Sequence, residues 1–368
     1  METASSVGDG NENAQTSIAM LDLHEVFHPK TLEAHFNDVR QVLLPNGLRI
    51  EYALHGEDDA PEKVVMIMGM QGEKEAWLPL VSTLLHPSNS GAASKYQLVT
   101  FDNRGVGNSD KPWGWYSTSQ MARDALMLMD HLRWSKAHVV GASMGGMIAQ
   151  ELAYAAPERV LSLALMVTTP GFRQGALPGM SQVTSYLSLA QNMVYPTHHR
   201  VASTMLYALF PDDFLQERHA GGDLTAQAIL YKHHMERLKT VKMSLAGVLG
   251  HYSAVLFHNV TRDRLKVIAD SDFPIVVIAA KKDRMLHPDN SKVLYKTLRG
   301  GKQTEAIVFE NAGHDVHVQQ RGEVAEALDK LFMLGSQTKQ PRLAAHVPPS
   351  NGHGHRGKAK KKKRRGSK

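Results

Sequence analysis

Six short, nearly continuous apolar runs recur along this chain: KVVMIM (63–68), QLVTF (97–101), HVVGA (138–142), LSLALMV (161–167), PIVVIAA (274–280) and EAIVF (305–309). Strands read this way when both faces are buried, because neither parity of side chain then meets water. Helical patterns lie between the runs: EAWLPLVSTLL (75–85), SQMARDALMLMDHL (119–132), MIAQELAYAA (147–156) and EVAEALDKLFML (323–334). Strands alternating with amphipathic helices predict an α/β fold, a mostly parallel sheet with helices on both faces. VRQVLL and LRIEYAL flank the turn signal Pro45-Asn46-Gly47, which predicts an antiparallel hairpin at the N-terminal edge of that sheet.

The alternation divides the chain. Residues 1–37 read as a polar extension with one short amphipathic stretch, and 38–171 carry the first part of the core. Between 172 and 270 the segments SQVTSYLSLAQNMV, RVASTMLYALF, TAQAILYKHHMERL and LAGVLGHYSAVLF have helical spacing and no strand pair. A helical insertion of that size in an α/β domain is expected to form a cap over the open edge of the sheet. The core resumes over 271–335, and 336–368 shifts to Gln, Pro, Gly and Lys, the composition of a disordered basic tail.

The chain has 368 residues and no cysteine, which excludes disulfide frameworks, thiolate nucleophiles and Cys-ligated zinc. Its first residues lack a basic or apolar leader pattern, and no apolar run reaches the roughly 20 residues needed to span a bilayer. An intracellular, cytoplasmic protein is the expectation. Of 42 basic residues, nine fall in RGKAKKKKRRGSK (356–368), which has no acidic residue. The rest of the chain holds 33 basic against 36 acidic residues, a formal −3. The basic character therefore belongs to the tail.

VVGASMGGMIAQ (139–150) carries the chemistry. Gly141-Ala142-Ser143-Met144-Gly145 follows a buried strand and precedes an amphipathic helix, the setting of a nucleophile elbow. Glycines two before and two after Ser143 allow a sharp turn that leaves the hydroxyl at the carboxyl edge of the sheet, where the helix N-terminus directs its free N–H groups. A serine hydroxyl becomes nucleophilic only when a base takes its proton and a third group orients that base. Among 20 histidines, His314 in Asn311-Ala312-Gly313-His314 lies just after the last strand, where open α/β sheets place their sites. Asp283 follows the strand PIVVIAA directly; Asp272 precedes it, at the wrong edge, and Asp289 follows Pro288 as a helix start. An oxyanion hole needs two convergent amides. Met144 supplies one, and Met70, in the turn Met68-Gly69-Met70-Gln71-Gly72, is assigned the other.

FDNRGVGNSDKP, VVGASMGGMIAQELAYAAPERVLSLALM, IAAKKDRMLHPDNS and NAGHDVHVQQ, in that order, closely resemble the α/β-hydrolase superfamily over roughly residues 38–335. The branch most similar contains 3-oxoadipate enol-lactonases, aclacinomycin methylesterases and related carboxylesterases. The resemblance implies Ser143 as nucleophile, Asp283 as acid, His314 as base and a helical cap, and makes Asp102-Asn103-Arg104-Gly105 a loop that shapes the wall of the site. The chain departs from the family at Met68-Gly69, usually His-Gly, at Ala280, often glycine, and at Arg321-Gly322, where proline is common.

The expected activity is hydrolysis of a small-molecule carboxylic ester with an apolar acyl or alcohol moiety, with no cofactor and no metal. Lactone, thioester and C–C bond hydrolysis use the same machinery. A non-enzymatic receptor or scaffold of this fold, directed by its tail, is the alternative from another class. KAKKKKRR suits contact with an anionic membrane or nucleic acid, or nuclear targeting. Gly352-His353-Gly354-His355 carries too few ligands for a metal site.

Overall fold

The computed structural model describes residues 18–337, apart from 90–91, 195–196, 242–243 and 302. Of the expected basic tail, Ser336 and Gln337 instead continue the last helix, and residues from 338 onward, like the start of the polar extension, lie outside the described residues. The chain opens with two short helices, α1 (Leu23–Val26) and α2 (Pro29–His35), then the hairpin β1 (Val39–Leu43) and β2 (Arg49–His55). Next come β3 (Glu62–Ile67), α3 (Leu78–Leu84), α4 (Ala92–Lys95), β4 (Tyr96–Phe101), α5 (Thr118–His131), β5 (Ala137–Ala142), α6 (Met144–Ala155) and β6 (Val160–Met166). The insertion holds α7 (Met180–Val194), α8 (His198–Leu209), α9 (Asp212–Leu215), β7 (Arg218–His219), β8 (Leu224–Thr225), α10 (Ala226–Thr240) and α11 (Leu245–Phe257). The core closes with α12 (Arg262–Ala269), expected within the insertion but packed through Leu265 and Ile268 into the main core, then β9 (Ile275–Ala280), α13 (Asp289–Leu298), β10 (Thr304–Phe309), α14 (Val316–Gln319) and α15 (Arg321–Gln337).

Eight strands form one sheet in the order β1-β2-β4-β3-β5-β6-β9-β10. β1 pairs antiparallel with β2, and β2 antiparallel with β4; every other pair is parallel. Alternation of side chains divides the core into two layers. Val65, Ile67, Val139, Leu163, Leu165 and Val277 face one layer with α5, α6 and α13 side chains. Val64, Met66, Val140, Ala164, Met166 and Ile278 face the other, with Trp77, Leu80 and α15 residues such as Leu328 and Phe332. β10 departs from the expectation of burial on both faces. It is an edge strand with one neighbour, and Val308 is 46% exposed.

Two further expectations are corrected. The insertion contains a strand pair, β7 with β8, because Gly221 and Gly222 turn the chain at positive φ (71° and 103°) between two-residue strands. The N-terminal segment is folded from residue 18 onward. Leu23 is fully buried with Leu206, Phe210 and Ile229 of the insertion and Val318 of α14, and Asp22 caps α1 while accepting from Ala220 N.

Candidate active site

β5 ends and α6 begins on either side of Ser143. The serine backbone sits at φ 55°, ψ −121°, a conformation that costs a residue with a side chain roughly 1–3 kcal/mol. Crowding enforces the turn. A Cβ on Gly141 would lie 2.4 Å from Gly145 O, and one on Gly145 only 1.9 Å from Ile67 O. Ser143 N donates to Met166 O (2.9 Å), and Thr168 Oγ1 donates to Ser143 O (2.7 Å). Every residue from 137 to 153 is buried except Ser143. The seam thus presents one hydroxyl from an otherwise sealed surface.

Asp283 lies in the loop after β9 and His314 in the loop after β10, both buried. His314 Nδ1 is 2.8 Å from Asp283 Oδ2. Asp283 Oδ1 accepts from Met285 N (2.7 Å) and Leu286 N (2.9 Å), so the carboxylate is fixed and its second oxygen is aimed at the ring. Burial alone would lower the His314 pKa, but the charge of Asp283 and its hydrogen bond outweigh burial and hold it above the usual imidazole range. With Nδ1–H donated to Asp283, the neutral ring keeps its lone pair on Nε2, the atom a serine proton would reach. The structure joins Asp283 to His314 directly; among the described residues no hydrogen bond joins His314 to Ser143.

The turn after β3 approaches the serine from the other side. A Cβ on Gly69 would lie 3.0 Å from Ser143 Cβ and 3.5 Å from its Oγ, so the Gly69 backbone borders the hydroxyl. Among the described residues the amides of Met70 and Met144 bond to no acceptor, whereas Gln71 N is taken by His251 Nδ1 (3.1 Å). Of the two neighbouring amides, Met70 is therefore the one left available. Gly72 N donates to Gly69 O (3.3 Å), and Asn103 Nδ2 donates to Met68 O (3.0 Å).

The Asp102–Gly105 loop is braced from within. Asp102, Asn103 and Arg104 are at most 5% exposed, because their side chains are consumed in internal hydrogen bonds. Asp102 Oδ1 accepts from Lys74 N (2.8 Å), and Arg104 forms a two-pronged pair with Asp124 (2.6 and 2.7 Å). The Lys74 ammonium meets Glu51 (2.7 Å), Glu75 (2.8 Å) and Asp102 (3.4 Å). Burial pushes the Asp102 carboxyl up to about 6 against the attraction of Lys74.

Three insertion residues that hold these loops escaped the sequence reading. Gln182 Nε2 donates to Asp283 O (2.6 Å) and Tyr186 Oη to Met285 O (2.6 Å), both from α7. They stand four apart on one helix face, a spacing shared by many helix pairs and so without a functional signal. Burial, and then the Asp283 charge, pushes the Tyr186 hydroxyl up to about 12. The third is His251 on α11. Arg284 to Asp212 (3.2 Å) and Lys282 to Asp213 (2.7 Å) add ion pairs between the Asp283 loop and the insertion. A separate cavity of about 530 Å³ opens within the insertion, lined by His199, Ser203, Tyr207, Asp212, Gln227 and Tyr231. Ser143, Asp283 and His314 take no part in it. Among the described residues, no group of three or more His, Cys, Asp or Glu could hold a metal ion, and no helix is long and apolar enough to cross a membrane. His353 and His355 lie outside the described residues.

Comparison with known proteins bears on this arrangement. The α/β hydrolase fold family model matches residues 63–320. A protein of Azorhizobium caulinodans named as the carbamate hydrolase RutD is 36% identical over 115 residues, 31% of this chain and 39% of that protein. The chain thus spans about two fifths of that relative's length. A Bacillus subtilis protein named as a 2-succinyl-6-hydroxy-2,4-cyclohexadiene-1-carboxylate synthase is 27% identical over 281 residues, 76% of this chain and 93% of that protein. Among solved structures, the enol-lactonase from Burkholderia xenovorans superposes with a TM-score of 0.63 at 19% identity, covering 80% of this chain and 100% of that one. At that identity the superposition speaks for the fold alone. With the family model covering more than half of its length, and with this sheet order and elbow, the chain belongs to the α/β hydrolase fold family.

Proposed function

We propose that this protein is a serine hydrolase that cleaves a carboxylic ester through an acyl-enzyme on Ser143. The observation that carries the reading is Ser143 itself, held at φ 55° and only partly buried within a run of buried residues, on the same sheet edge as the His314–Asp283 pair. Ser143 Oγ attacks the ester carbonyl carbon while its proton passes to His314 Nε2. The Met70 and Met144 amides bind the oxyanion of the tetrahedral intermediate, and Asp283 stabilises the imidazolium. The alcohol leaves with the proton held by His314. Water then attacks the acyl carbon, gives its proton to His314, and the acid departs as Ser143 regains its hydrogen.

A relative named for a carbamate substrate is consistent with attack at a carbonyl carbon. Apolar side chains that stay exposed on the insertion, Met180 (81%) and Leu187 (61%) among them, support an apolar moiety in the substrate. The reading is tested by a panel of p-nitrophenyl esters of graded acyl length beside lactones and thioesters. Ester turnover that rises with chain length supports it. Turnover of lactones or thioesters alone reassigns the substrate class, and no turnover of any class with no covalent trapping supports a receptor.

We read the protein as intracellular, and residues 356–368 as an electrostatic contact for anionic membranes or nucleic acid, separate from catalysis. Deleting 338–368 should leave turnover of a soluble ester unchanged. It should also abolish binding to acidic vesicles or nucleic acid that weakens with salt.

A further inference from the structure

The turn that carries Met70 is held in place by a helix of the insertion. Gln71 occupies φ 58°, unusual for a residue with a side chain. Its N–H donates to His251 Nδ1 (3.1 Å), and its side-chain Nε2 donates to Gly247 O (3.3 Å) one turn earlier on α11. A backbone amide can only donate, so Nδ1 must be the acceptor nitrogen. The ring's hydrogen then sits on Nε2, which donates to Arg104 O (2.7 Å). One neutral tautomer satisfies both partners, and burial supports it by pushing the His251 pKa down to about 4. His251 is fully buried, and its helix presses on the core so closely that a Cβ on Gly247 would lie 1.9 Å from Gly105 O.

Two consecutive peptide units are thereby oriented. The Gly69 carbonyl accepts from Gly72 N, which turns the Met70 N–H of the same trans peptide the opposite way. The next unit has its Gln71 N–H fixed on His251. We propose that His251 is a positioning residue for the oxyanion hole, acting by accepting the Gln71 amide and so keeping the Met70 N–H directed at the oxyanion. The proposal rests on the serine-hydrolase reading for the role of Met70, and on the contacts alone for the hold on the loop.

Two isosteric substitutions separate the bonds of the ring. In His251→Asn the side-chain oxygen stands where Nδ1 was and still accepts from Gln71, while the donor to Arg104 is lost. In His251→Gln the amide nitrogen stands near Nε2 and still donates to Arg104, while the acceptor for Gln71 is lost. Each removes one buried hydrogen bond, so both are expected to lower Tm by a comparable few degrees.

The experiment uses the full chain. It measures exchange of the Gln71 amide with deuterium, kcat and KM for p-nitrophenyl butyrate, and inhibition by an alkyl trifluoromethyl ketone, which forms a tetrahedral adduct. His251→Gln is expected to speed Gln71 exchange and to lower kcat by about 10- to 100-fold with KM nearly unchanged, weakening the ketone in proportion. His251→Asn is expected to keep wild-type exchange at Gln71 and kcat within about threefold. Equal loss of kcat in the two variants, or unaltered Gln71 exchange in His251→Gln, overturns the proposal. If His251→Gln does not fold, Gln71 exchange in His251→Asn decides: protection supports the proposal and loss of protection overturns it. A wild-type protein that neither turns over the ester nor binds the ketone contradicts the serine-hydrolase reading, while the exchange measurement still decides whether His251 holds the loop.

Discussion

The seam that carries Ser143 and the loops that carry Asp283 and Met70 are held by different forces. At the seam the restraint is steric: Gly141 and Gly145 leave no room for a methyl group, and the chain between β5 and α6 has one path. Around Asp283 and Met70 the restraint comes from polar contacts with the insertion: hydrogen bonds of Gln182, Tyr186 and His251, and the ion pairs of Arg284 and Lys282. Close packing tolerates little displacement, whereas a hydrogen bond adds about 1 kcal/mol net and can be exchanged locally. The Ser143 seam is thus rigid by construction, and the groups proposed to activate the serine depend on how the insertion is seated.

That contrast can be broken at either end. Ser143→Ala is expected to lower kcat about a millionfold with Tm little changed, since neither the glycines nor the sheet is touched; ester kinetics beside a melting curve checks this. Asp283→Asn is expected to cost about 10⁴-fold in kcat. Because the Asp283 charge and hydrogen bond raise the His314 pKa, removing them lets the ring lose its proton at lower pH. The acidic limb of the kcat/KM profile should therefore move toward lower pH in the variant, as a pH–rate series would show. Gly145→Ala should act on stability instead, by about 3 kcal/mol, because its methyl would collide with Ile67 O; the urea midpoint reads this. Tyr186→Phe is the mildest. It leaves Met285 O without its donor and should lower kcat by about 10-fold with the urea midpoint shifted less than in Gly145→Ala.

The same contrast explains what could be read from the chain. Strand and helix positions follow from local periodicity, so the expected run 138–142 is found as Ala137–Ala142, and 119–132 as Thr118–His131. The elbow follows from glycine spacing between a strand and a helix. The placing of Asp283 and His314 after consecutive strands of the sheet follows from chain order; their roles are part of the proposal. Gln182, Tyr186 and His251 were illegible because their partners lie 101, 99 and 180 residues away and a helix pattern does not encode them. Likewise the four-residue helix α1 is too short to show a period, and its burial against the insertion is tertiary. The β7–β8 pair is two residues per strand, below what alternation can reveal.

The central claim is that Ser143 is the nucleophile. Treatment with a fluorophosphonate followed by peptide mapping tests it most directly. A single adduct on Ser143, absent from Ser143→Ala, is the predicted result. An adduct on another serine, labelling that persists in Ser143→Ala, or a protein that hydrolyses esters without being labelled would contradict it.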